Sequence, residues 1–223
     1  MKKAYFLLLF FFFAVPLAVG AETGSSLFIT WKANTLFPSN FQGKALPSPG
    51  TSIDVSVEMA KNGIIADPTK TLFTWSVDGR NVVEGMGKNT FTFSAEKNAD
   101  SAHFVRVTAE TGAESVNSSI NVPVVTPFSV IETPFPFNII PKNSKVFIRA
   151  VPYFFNVSSL QDLLFGWQMN DFKTSTKQDN VLSFDVGDPN RNTAKEVNIT
   201  SYTQNSLKDY EIMITRKTLT ISP

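Results

Sequence analysis

Apolar and polar residues alternate with period two in short runs along most of this chain. In TSIDVSVEM, Ile53, Val55, Val57 and Met59 fall on one side and Asp54, Ser56 and Glu58 on the other. TLFTWSV sets Phe73, Trp75 and Val77 against Thr74 and Ser76, and NTFTFSA sets Phe91, Phe93 and Ala95 against Thr90, Thr92 and Ser94. HFVRVTAE groups Val105, Val107 and Ala109, and SINVPVV groups Ile120, Val122 and Val124. Successive side chains of a strand point to opposite faces, so this alternation predicts strands with one buried and one wet face. The Gly, Asn, Asp and Pro residues between the runs predict turns. One dry face and one wet face is the habit of antiparallel sheets.

The same order is then written again. KVFIRAV follows the turn PKNS as SIDVSVE follows PSPGT. LFGWQM matches LFTWSV, with Trp167 standing 92 residues after Trp75, and EVNITSY matches FVRVTAE, with Val197 again 92 residues after Val105. NVLSF answers NTFTF, and YEIMITRKTLTI closes the second copy as SVNSSINVPVV closes the first. Matching runs at a constant offset indicate an internal duplication. The expectation is an all-β chain of two tandem immunoglobulin-like β-sandwiches, each of roughly 100 residues and about seven strands. The first is expected over 22–126 and the second over 127–223. Trp75 with Phe93, and Trp167 with Phe184, are the expected core residues. Pro123, Pro127, Pro134 and Pro136 punctuate the junction, where no Gly/Ser-rich spacer intervenes, so the two units are expected to meet at a restricted angle.

The stretch FTWSVDG resembles the third strand and turn of PKD-like and related immunoglobulin-like domains of bacterial surface proteins. Where that family has a Gly-Asp-Gly turn, this chain has Val77-Asp78-Gly79, and His103-Phe104-Val105 stands in the place of its His-x-Tyr. The second copy reads WQMND at the turn. With its GKALP and VPYFFNV stretches, the chain is also similar to exported proteins of uncultured, small-genome bacteria. The resemblance implies the two-sandwich architecture and brings no activity with it.

The first residues change where such a protein would work. Met1-Lys2-Lys3 precedes the apolar run Ala4–Ala21, and a polar stretch follows. This is the pattern of a secretory signal peptide over 1–21, cut after Ala21, with a cut after Gly20 as the near alternative. An uncleaved membrane anchor is the competing reading, since 18 residues lie at the short end of a bilayer span. Export places the protein in the periplasm, on the cell surface or outside the cell. No Cys is present, so neither disulfides nor a Cys-linked lipid are available, and each sandwich depends on its core. The formal net charge is +1 and no basic cluster occurs, which argues against a nucleic-acid partner.

Candidate chemistry is sparse. His103 is the only His, and without Cys the usual routes to nucleophilic catalysis or to zinc and copper sites are closed. No catalytic residue, metal or cofactor is therefore expected. The equivalent loops KNAD (97–100) and DPNRN (188–192) carry oxygen ligands of the type calcium uses, but Asp, Asn and Pro are equally ordinary turn residues. Two ring-rich segments remain. Asn34–Gly50 is long for a sandwich connection and carries Phe37 and Phe41, and Val151–Asp162 carries Tyr153, Phe154 and Phe155. These rings either bind a partner or fill the sandwich ends and the joint between them. The expectation is a non-enzymatic envelope or surface protein acting in adhesion, scaffolding or assembly, with envelope proteins or glycans as partners. A periplasmic chaperone and a carbohydrate-binding protein are the alternatives.

Overall fold

The structure is a computed structural model. It describes residues 24–112, 114–170, 172–174, 179–187 and 196–222. The signal-like segment over 1–21 and the DPNRN loop lie outside the described residues. No helix among the described residues is long and apolar enough to cross a membrane.

The alternating runs become strands. In chain order the first eight are β1 (Ser25–Ala33), β2 (Ser52–Lys61), β3 (Ile64–Ile65), β4 (Leu72–Val77), β5 (Arg80–Met86), β6 (Thr90–Ser94), β7 (Ser101–Thr111) and β8 (Glu114–Val124). They form two sheets. In one, β2 pairs with β1 along one edge and with β6 and the short β3 along the other, and in the other the order is β5-β4-β7-β8. Then follow β9 (Phe128–Glu132), β10 (Ile139–Ile140), β11 (Ser144–Tyr153), β12 (Leu163–Met169), β13 (Phe172–Thr174), β14 (Val181–Val186), β15 (Glu196–Asn205) and β16 (Ile212–Ile221). Their sheets run β14-β11-β9 and β10-β16-β15-β12-β13, with β10 joining β16 in parallel and the long neighbours antiparallel. A three-strand-wide sheet facing a β5-β4-β7-β8 type of sheet, built twice, is the immunoglobulin-like sandwich. The copies match in detail, for β2 and β11 are both ten-residue strands.

The inward parity of each run sets the two cores. Ile53, Val55, Phe73, Trp75, Val105 and Val107 are almost completely buried in the first, and Ile148, Leu163, Phe165, Trp167, Ile199 and Leu219 in the second. The two indoles are held alike. Trp75 Nε1–H donates to the Lys88 carbonyl at 2.7 Å, and Trp167 Nε1–H to the Asp179 carbonyl at 3.4 Å. Each acceptor lies two residues before the strand that pairs with β2 or β11. A buried indole needs such a partner. The ring packed on Trp75 is Phe91, with centroids 4.8 Å apart. Phe93 is half-buried nearer the sandwich end, edge-on to His103 at 5.3 Å. Register explains the order, because Phe91 pairs with Val55 and Phe93 with Ile53, one step closer to the strand's start. Phe184 is half-buried at the margin of the second core.

Asp78 and Gly79 form the two-residue turn between β4 and β5, both with positive φ (51° and 82°), the geometry such a tight hairpin demands. Asp78 also fastens the turn to β7. Its Oδ1 accepts the Phe104 N–H at 2.9 Å and the Lys97 ammonium at 2.7 Å, and its Oδ2 lies 2.7 Å from Nδ1 of buried His103. His103 Nε2 accepts the Lys97 N–H at 3.4 Å, so Nδ1 is the nitrogen that donates to Asp78.

Candidate functional site

The long segment between β1 and β2 leaves the first sandwich and lies on the second. Asn34 N–H still bonds to Ser52 at the base of the loop, at 3.0 Å. Two residues on, Leu36 forms an isolated antiparallel bridge with the second sandwich. Its N–H donates to the Phe155 carbonyl at 2.8 Å, and its carbonyl accepts the Phe154 N–H at 2.7 Å. The Leu36 side chain packs against the second core. A turn closed by Phe41 N–H to the Pro38 carbonyl (3.0 Å) then folds the Phe41 ring back over the joint.

There the rings singled out by sequence converge. Phe41 lies 6.1 Å from Phe37, 5.8 Å from Tyr153 and 5.6 Å from Phe154, between centroids. Phe128 of β9 completes the group, stacked on Tyr153 at 4.8 Å and 4°. Phe155 is not part of it, because its side chain is fully buried in the second core. Phe154 is 5% exposed beneath Phe41 and Phe128, on a left-handed backbone (φ 63°) that turns it aside from the β11 alternation. Phe37 and Phe128, at 40% and 41% exposure, are the two rings of the five most open to solvent.

The other half of the joint is polar. The Glu211 carboxylate is 5% exposed and accepts bonds from both sandwiches. Oε1 takes the Ser48 hydroxyl at 3.0 Å and the Asn156 N–H at 3.0 Å, and Oε2 takes the Asn205 side-chain amide. Ser48 is in turn fixed by Thr51, whose Oγ1 accepts its N–H at 3.1 Å. Lys208 Nζ donates to the Gly50 carbonyl at 3.3 Å. A buried carboxylate is tolerable only when its lone pairs are filled in this way.

Beside the rings, the loop and the outer face of the β14-β11-β9 sheet enclose an open cleft of about 540 Å³. Phe37, Pro38, Ser39 and Asn40 form one wall, Leu160 and Asn180 another, and Val151, Arg149 and Glu132 the floor. Arg149 and Glu132 are cross-strand partners in register. Among the described residues neither the guanidinium nor the carboxylate has a hydrogen-bond or ion-pair partner. Asn180 is fixed, its Nδ2 donating to the Ala150 carbonyl at 3.0 Å. Leu160 sits on a single 3₁₀ turn, Leu160–Asp162, tied down by the Ser159 N–H and hydroxyl, each 3.1 Å from Asp162 Oδ2.

A smaller depression of about 360 Å³ lies on the outer face of the first sandwich, lined by Thr30, Lys32, Asp54, Ser56 and Thr92 among others. Its carboxylate is already committed, since Asp54 accepts from Thr92 Oγ1 at 2.7 Å and from Asn34 Nδ2 at 3.2 Å. No group of three or more His, Cys, Asp or Glu residues able to hold a metal occurs among the described residues. The KNAD loop is occupied otherwise. Lys97 binds Asp78, and Asp100 turns the chain at φ 64° with its N–H on the Val124 carbonyl.

No protein family matches the chain, and no curated protein is similar enough to count as a relative. Solved structures are similar in chain trace only. The three N-terminal domains of the bacteriophage RB49 highly immunogenic outer capsid protein match at 12% identity and a TM-score of 0.47, over 89% of this chain and 59% of that one. Fibronectin(III)-like modules of Clostridium thermocellum CbhA match at 11% identity and 0.30, over 87% and 93%. A Bacteroides ovatus glucan-utilization protein, solved with a mixed-linkage heptasaccharide, matches at 15% and 0.25, over 88% and 47%. The chain thus spans 59% of the first of these structures. The immunoglobulin-like fold is read from the strand order and register above.

Sequence reasoning singled out the rings but missed their polar neighbours. Glu211 and Asn205 were legible in principle. Both fall on the inward parity of their runs, Glu211 with Met213 and Thr215 and Asn205 with Thr203 and Ser201, where a charge or an amide is out of place. Arg149 and Glu132 sit on outward parity, where charge is ordinary, and only the docked loop distinguishes them.

Proposed function

We propose that this is an exported, non-enzymatic binding module that works in the cell envelope or at the surface, in adhesion, scaffolding or assembly. The observation that carries the reading is the cleft at the joint. A loop of the first sandwich is locked onto the second by a main-chain bridge, a half-buried leucine and a buried carboxylate, and it holds an open ring, Phe37, over Arg149 and Glu132, whose charged groups have no partner among the described residues. Rigid elements that present a few aromatic and charged groups in a preformed concavity are built for recognition. His103 supports no competing catalytic reading, because it is buried with both ring nitrogens engaged in bracing a turn. The signal-like N-terminus and the resemblance of the sequence to PKD-like surface domains and exported proteins of small-genome bacteria support the location.

Hydrogen exchange on the purified protein, with and without a solubilised envelope fraction from its source organism, tests this. Protection confined to 36–41 and 149–160 is the expected result. Unchanged exchange throughout would contradict the proposal.

A further inference from the structure

Resting on that binding reading, we infer that the cleft takes a neutral oligosaccharide. A sugar presents an apolar C–H face and a rim of hydroxyls, each of which both donates and accepts. The cleft offers the complement of both. Phe37, Pro38 and Leu160 supply apolar walls, Arg149 supplies donors only, and Glu132 supplies an acceptor. Because these two opposite charges stand side by side on the floor and neither has a partner among the described residues, the site is balanced and selects no net charge. At about 540 Å³ the space suits a small ligand rather than a folded domain. A peptide added as a strand is not served at Arg149, which is already paired on both sides, with Val181 of β14 and Glu132 of β9.

The test is isothermal titration of the purified protein with cellohexaose, maltohexaose, xylohexaose and mannohexaose, beside oligogalacturonates as acidic counterparts. Binding of one or more neutral hexaoses is expected. Phe37→Ser and Arg149→Ala should each weaken it roughly tenfold or more, the scale of a lost charged hydrogen bond or ring contact. Phe147→Ser, a change at an exposed ring of the same sheet face outside the cleft, should leave it unchanged. If Phe37→Ser lowers the melting temperature, Glu132→Gln, which keeps shape and exposure, carries the test in its place. Binding of the acidic oligomers alone would overturn the inference, as would neutral binding indifferent to these variants. Binding of no sugar would overturn it too. In that case, protection of the cleft in the hydrogen-exchange experiment would leave the broader binding reading standing, and flat exchange would remove both.

Discussion

Asp78 shows how much one turn residue carries. Burial pushes its carboxyl up, but the Lys97 ammonium, the Phe104 N–H and the His103 ring outweigh it and hold the group down to about 2, below its ordinary 3.8. A depressed carboxyl stabilises the fold above its unfolded pKa and loses that contribution as pH falls through the folded one. The side chain is 28% exposed, so solvent screening trims the contribution to on the order of 1–2 kcal/mol. The first sandwich should therefore lose this increment between about pH 4 and pH 2, and Asp78→Asn should flatten that limb. Melts of both proteins across this range check it, and parallel acid limbs would show that the brace carries nothing. The two Trp residues make a second prediction. Trp75→Ala and Trp167→Ala should each cost about 3–5 kcal/mol in denaturant melts, because each leaves a cavity in a core. Both were legible as core residues from parity alone. That Phe91 rather than Phe93 packs on Trp75 was not, since both share one face and only register along the sheet separates them.

Among the elements, the segment between β1 and β2 departs furthest from a plain sandwich. Its length and its rings were readable, but its destination was not, because the contacts that fix it join distant parts of the chain, Ser48 to Glu211 among them. Leu36 sits in the sequence of the first sandwich and packs against the core of the second. Leu36→Ala should then destabilise the second sandwich by roughly 1–3 kcal/mol, less than a fully buried leucine because Leu36 is only half-buried. Hydrogen exchange in β11 and β15 would report it, and faster exchange limited to β1 and β2 would assign the loop to the first sandwich alone. Glu211→Ala should cost about 1–3 kcal/mol by denaturant melt, since it leaves the Asn156 N–H without its acceptor and takes one bond each from the Ser48 hydroxyl and the Asn205 amide, which keep Thr51 and the Asn156 carbonyl. Gly43 adds a steric constraint. A Cβ there would meet Phe41 Cζ at 2.5 Å, so Gly43→Ala should displace that ring from Tyr153 and Phe154 and shift their aromatic NMR signals.

At the scale of the molecule, the duplication was plain in the sequence because each copy must satisfy the same parity and the same buried indole. The joint was not, because Arg149 and Glu132 look like ordinary solvated charges until a loop from the other sandwich roofs them. The proposed binding requires that loop to hold the two sandwiches in one arrangement, so that the cleft exists before any ligand arrives. A chain with no Cys allows a direct measurement. Spin labels placed on Cys introduced at exposed Glu84 and Ser183, one in each sandwich, report the distance between them by double electron–electron resonance. One narrow distance distribution is expected, broadened when Leu36→Ala and Phe41→Ser are added together. A distribution already as broad without those two changes would contradict that requirement.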